Sequence, residues 1–209
     1  MACLYAGKPE LLSKVQEVVR VHQQNEQAVA FGVTAAVLTE AVLMGATLPE
    51  AIEKSRDAIA SMSLEKTDDV LQALARAKSA SESDTERDDV EALMLAISHD
   101  AMVGKEDSPF YDLAGRSCAL PGSFLVPVYF FHKNSENPDE EAFVSSLRAN
   151  ILAAGDTCSR AAFVGGILGA VHGDVPQGWL DKMDNETMSR IDAAADKIAD
   201  FALATCENE

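Results

Sequence analysis

Two stretches of this sequence leave a helix almost no side on which to meet water. From about Asn25 to Met44, Ala28, Val29, Phe31, Gly32, Ala35, Ala36, Leu38, Val42 and Leu43 are apolar or small nearly all round the helix, and Gly45 stands where a left-handed stop belongs. From Ala161 to His172 the chain is again small and apolar, with Gly165, Gly166 and Gly169 positioned to let another backbone approach and Gly173 to close the helix. A helix that is hydrophobic on every side must be wrapped by others, so both stretches are predicted to lie inside a bundle.

The rest of the chain supplies the wrapping. Residues 10–22 place Leu11, Leu12, Val15, Val18 and Val19 on one helical side. Thr47-Leu48-Pro49-Glu50 reads as a cap with proline in the first turn, opening a helix to about Met62 that turns Ala51, Ile52, Ala58 and Ile59 inward. Thr67-Asp68-Asp69 opens another. A polar connector over 77–89 leads to a helix expected to carry Val90, Leu93, Met94 and Ile97. Residues 104–122 form an irregular loop, a candidate pocket wall, and 124–131 fit a helix with a kink at Pro127. Asn137-Pro138-Asp139-Glu140-Glu141 starts a helix burying Phe143, Val144, Leu147, Ile151 and Leu152, Trp179 packs on the bundle, and a last helix from about Asn185 to Thr205 is expected to bury Met188, Ile191, Ala195, Ile198 and Phe201. The expectation is an all-α chain of about eight or nine helices without a sheet, one domain over residues 1–209.

Composition narrows the class of partner. With 34 acidic against 17 basic residues the formal charge is −17, which repels phosphate backbones and anionic lipid, so nucleic acid and membranes are excluded as partners. No charged-then-apolar leader opens the chain, and no uninterrupted apolar run approaches the roughly 18 residues of a membrane helix, so a cytoplasmic location is expected. Cys3, Cys118, Cys158 and Cys206 are far apart and form no C-x-x-C pair, which points to reduced thiols.

The densest chemistry lies at Ala154-Gly155-Asp156-Thr157-Cys158-Ser159-Arg160, a turn between two helices. Asp156 and Ser159 offer hard oxygens to a cation. Equally, Asp156 or Thr157 serves as a plain helix cap. Cys158 beside a helix start and Arg160 is either an activated thiol or a small packed residue. His172 fits a helix C-terminus, and His22, His99 and His132 lack metal-ligand spacing. Gln23, Gln24, Asn25 and Glu26, at the entry to the first all-apolar helix, either face a pocket or cap that helix. Ser117, Cys118, Ser123 and Phe124 are candidates to line a nucleotide site, with Phe124 or Tyr111 stacking on an adenine.

Residues 147–179, LRANILAAGDTCSRAAFVGGILGAVHGDVPQGW, resemble the carboxyl-terminal signature of the ADP-ribosylglycohydrolase family, which includes the J-type lens crystallins: Gly-Gly-Asp-Thr-Asp-Ser/Thr, a small-residue helix ending Gly-Ala-x-x-Gly, then Ile-Pro and Trp. Residues 18–30, VVRVHQQNEQAVA, resemble the family's mid-chain segment, so the likeness spans most of the chain. It implies an orthogonal helical bundle holding magnesium ions that activate water at the anomeric carbon of an ADP-ribosyl group. It also makes Asp156 and Ser159 metal ligands. Cys158 stands where the family has an aspartate, a soft donor with little affinity for magnesium. The family's amino-terminal Gly-Asp-x-x-Gly and acidic pair have no counterpart near the start, and neither Asp68-Asp69 nor Asp88-Asp89 replaces them, so Met1 is expected to fall well inside the family's domain. Two functions follow: hydrolysis of the glycosidic bond of ADP-ribosylated substrates, or a catalytically inactive, crystallin-like structural or binding protein. An incomplete bundle would expose apolar faces, so self-association is expected as well.

Overall fold

The structure, a computed structural model, describes residues 1–82, 118–136, 139–152 and 156–206, and among these every regular element is a helix. In chain order they are α1 (Ala2–Tyr5), α2 (Leu11–His22), α3 (Glu26–Leu43), α4 (Leu48–Ser61), α5 (Thr67–Glu82), α6 (Gly122–Lys133), α7 (Glu140–Leu152), α8 (Thr157–His172), α9 (Gln177–Leu180) and α10 (Asn185–Cys206). The all-α class is as the sequence predicts. The expected helix around Val90, Leu93, Met94 and Ile97, and Tyr111, Ser117, His99, Asp88-Asp89, Asn137-Pro138 and Gly155, lie outside the described residues.

The bundle is built around α3. It touches α1, α2, α4, α5 and α8, and Val29, Ala30, Val33 and Leu38 are fully enclosed. This is the one described helix with the length and hydropathy to cross a membrane, at 18 residues, and its burial among five other helices accounts for that hydropathy. Its ends are set locally. The Asn25 side chain accepts from the backbone N–H groups of Gln27 and Ala28 at 2.8 and 3.3 Å, and Gly45, at φ +88°, turns the chain out while Ala46 N–H returns to Ala41 O at 2.9 Å. At the start of α4 the Glu50 carboxylate accepts from both the N–H and the hydroxyl of Thr47 at 2.9 Å, with Pro49 in the first turn.

The run 124–131 is helical and buried throughout, with Pro127 inside α6, which packs between α5, α4 and α8. Phe31 of α3 and Phe124 of α6 meet edge to face at 5.3 Å; Phe163 of α8 stacks on Phe124 at 6.0 Å and meets Phe131 edge to face at 5.4 Å, so one aromatic cluster joins the three inner helices. On the far side of α6 the Tyr129 hydroxyl and His132 Nε2 are buried without a hydrogen-bond partner among the described residues. Burial pushes the Tyr129 phenol up and pulls the His132 imidazole down, and nearby Lys78 adds to the latter while Glu82 and Glu53 oppose it.

Three expectations about packing are corrected. The last helix buries none of its described residues: Ile191, Ile198 and Phe201 are 49%, 42% and 48% exposed, because the chief neighbour of α10 is the single turn α1. The stripe of α7 holds at Phe143 and Leu147 and fails at Ile151 and Leu152, which are exposed, while Ser146 and Asn150 take buried positions. The α8 glycines do not admit a neighbouring backbone. A Cβ at Gly165 or Gly169 would meet only side chains of Leu147 or Phe143, at 3.6 to 3.8 Å, and one at Gly166 would meet nothing. The tight spot is at Gly32 instead, where a Cβ would come within 2.9 Å of a Val19 methyl on α2, so that this side chain would have to shift.

Candidate functional site

α7 and α8 are held at a fixed angle by a buried polar latch. Arg160, 3% exposed, donates from Nε to Asn150 Oδ1 at 2.8 Å, and Asn150 Nδ2 donates to the Thr157 carbonyl at 2.9 Å. Burial lowers the Arg160 pKa, while Asp156 and Cys158 pull it back up. On this base Asp156 caps α8. Its Oδ1 accepts from the Cys158 thiol at 3.0 Å and from the Ser159 N–H at 3.3 Å, and its Oδ2 accepts from the Ser159 hydroxyl at 2.6 Å. The thiol, the hydroxyl and the N–H, in that order, hold its carboxyl below the usual aspartate range, with the Arg160 charge helping. Asp156 is therefore anionic at neutral pH, half-exposed, and fixed in place.

About two turns further along α8, roughly 10 Å by helix rise and on the same side as Asp156, Phe163 reaches a second feature. A cleft of about 400 Å³ opens between α2, α3, α6 and α8, its apolar wall made by Val18, Phe31, Phe124 and Phe163 and its polar groups by His22, Gln23, Cys118 and Ser123. Beside it, Arg20 grips Glu26 through two nitrogens at 2.5 and 2.8 Å, fixing the corner between α2 and α3.

Of the residues singled out in the sequence, Ser123 and Phe124 line this cleft together with Cys118, whereas Asn25 sits outside it as the α3 cap. Asp156, Cys158 and Ser159 are in mutual contact. Asp69 is tied to Gln27 at 3.3 Å and to Lys66 at 3.7 Å, a structural duty at the start of α5. His172 lies in the last turn of α8, with Nδ1 3.1 Å from the Asp174 carbonyl. Sequence reasoning placed His22 among the structural residues, yet it lines the cleft; only its place at the helix end beside Gln23 hinted at that. The latch of Asn150 and Arg160 was missed, and spacing offered no signal for it.

The chain matches the ADP-ribosylglycohydrolase family over residues 1–208 and belongs to that family. Among curated proteins it is similar to Crystallin J1A of Tripedalia cystophora, 27% identical over 184 residues, which cover 87% of this chain and 47% of that protein. The chain thus spans about half the length of the curated relative it matches. No solved structure matches it.

The family is generally metal-dependent and acts on ADP-ribosylated substrates. The donor set at the α8 turn does not fit a magnesium centre by itself. It comprises one carboxylate, one hydroxyl and one thiol, with the carboxylate already accepting three hydrogen bonds, and no group of three or more His, Cys, Asp or Glu gathers among the described residues. Magnesium asks for near-octahedral hard oxygen, and sulfur in the third place works against it.

Proposed function

We propose that this chain recognises ADP-ribosylated molecules in the cleft between α2, α3, α6 and α8, and that its own residues bind without hydrolysing. The observation behind this is the composition of the cleft. The half-buried Phe163, backed by the buried Phe31 and Phe124, offers an aromatic edge of the cleft to a planar base, while His22, Gln23 and Ser123 supply donors beside it, as a nucleotide requires. The three hydrogen bonds that Asp156 already accepts and the thiol of Cys158 argue against a complete magnesium site, which favours the binding role over catalysis.

Hydrolysis of the glycosidic bond is the second reading, and one observation favours it: Asp156 and Ser159 hold two hard oxygens 2.6 Å apart on the same helix as Phe163. In that reading they contribute donors to a magnesium site whose other ligands lie beyond the described residues. Incubating the protein with an ADP-ribosylated peptide and magnesium separates the two. Peptide retained with no free ADP-ribose released supports the binder. Sustained magnesium-dependent release, abolished by Asp156→Ala, supports the hydrolase, and failure to retain or cleave the peptide contradicts both. The reading also carries a single domain over residues 1–209, to be checked as one cooperative melt, and a cytoplasmic location, to be checked by fractionation.

A further inference from the structure

Residues 16–27, which run from the middle of α2 round into α3, include no buried residue, although they carry part of the polar edge of the cleft. Packing buries α2 at Leu11 and Val15, in its first turns, so the placement of its far end depends on polar ties. Arg20, Gln24, Asn25 and Glu26 use their side chains for such ties. Arg20 binds Glu26 through two nitrogens at 2.5 and 2.8 Å, Gln24 Nε2 donates to the Arg20 carbonyl at 2.8 Å, and Asn25 caps α3. Between them, His22 and Gln23 make no side-chain hydrogen bond among the described residues, and both line the cleft. We propose that the pair of Arg20 and Glu26 is a positioning clamp for ligand binding, fixing the corner so that His22 and Gln23 present their donors to the cleft. This inference rests on the nucleotide-binding reading above.

An exposed ion pair usually stabilises little, because ordering two long side chains offsets the Coulomb gain. This one differs in geometry and place. The contact is two-pronged, its side chains are 36% and 35% exposed, and it ties the last turn of α2 to the first residue of α3 across the corner. Hydrogen bonding to Arg20 holds the Glu26 carboxyl below the usual glutamate range, so the pair is charged at neutral pH. A corner left loose would have to be ordered each time a ligand arrived, at a cost to affinity; one already clamped avoids that cost. The effect therefore falls on binding more than on the stability of the bundle, whose core lies elsewhere.

ADP-ribose is titrated by calorimetry into the full chain and its variants. Glu26→Gln weakens binding about fivefold with little change in melting temperature. Glu17→Gln, which breaks the 2.9 Å pair with Lys14 outside the cleft, leaves the affinity unchanged. In a Gln23→Ala background the loss caused by Glu26→Gln shrinks, because the clamp acts through a side chain already removed. Hydrogen exchange reads the corner without any ligand: the Gln23 amide, bonded to the Val19 carbonyl at 2.8 Å, exchanges faster in Glu26→Gln while amides in the middle of α3 do not. A folded wild type that binds no ADP-ribose brings down the reading of the cleft and the clamp with it. Where the wild type binds, three results overturn the clamp alone and leave the cleft reading standing: a Glu26→Gln affinity equal to wild type, a loss undiminished in the Gln23→Ala background, or an unchanged Gln23 amide.

Discussion

α3 and α10 are the two longest helices of the described chain, 18 and 22 residues, and they sit at opposite ends of the burial scale. α3 has apolar residues on all sides and is enclosed by five neighbours; α10 has a well-formed apolar stripe and encloses nothing. The difference is that an all-apolar helix dictates its own surroundings, since no orientation leaves it soluble, whereas an amphipathic stripe states only which side could be buried. Whether it is buried depends on a partner, within the chain or outside it.

The sharpest break of this comparison is a matched truncation. Leu38→Ala, fully buried in α3, should cost about 2–5 kcal/mol in urea unfolding, while Ile198→Ala in α10 should change the stability of the monomer by less than about 0.5 kcal/mol. Equal losses would mean that α10 is as integrated as α3. A second test concerns the weak point of the buried side. Burial lowers the His132 pKa below its ordinary 6.5, so the unfolded chain binds the extra proton first and stability, complete above pH 6.5, declines as the pH falls towards the folded value. His132→Gln should flatten that part of the pH-stability curve, and an unchanged slope would remove His132 as its cause.

At the α8 turn the sign is set by an acid. Asp156 has a folded pKa depressed below 3.8, so its cap contributes fully above that value and is lost as the pH falls through the folded one. Asp156→Asn keeps a capping oxygen and should remove this acid-side decline with only a small change in melting temperature at neutral pH. The smallest effect is expected at Gly165. Its replacement by alanine should stabilise by about 0.5–1 kcal/mol, since the new methyl would sit 3.7 Å or more from Leu147 and the helix gains propensity. Destabilisation would restore the idea that α8 needs its glycines for contact.

These particulars mark how far the sequence reaches. The core position of α3 was legible because apolar residues occupy every side of it over its 18 residues, and its stop at Gly45, the cap at Thr47 and a cap at the Asp156-Thr157 turn because each rests on residues within one turn of one another. The Asn150 to Arg160 latch was not, because it joins residues ten apart on two helices and hides an asparagine in what reads as an apolar stripe. The cleft was half legible. Ser123 and Phe124 announced themselves by a loop and an aromatic, but Val18, His22 and Phe163 reach it from two other helices whose mutual placement no local pattern encodes.

Titration of ADP-ribose by calorimetry into the wild type and into the exposed-site variants His22→Ala and Gln23→Ala, with Phe163→Leu alongside, tests the central claim most directly. The account predicts saturable binding by the wild type without magnesium, affinity that rises from low to about 0.15 M salt as the acidic surface is screened, and weaker binding in all three variants. Absence of heat in a folded wild type, or binding that none of the three variants alters, would contradict it.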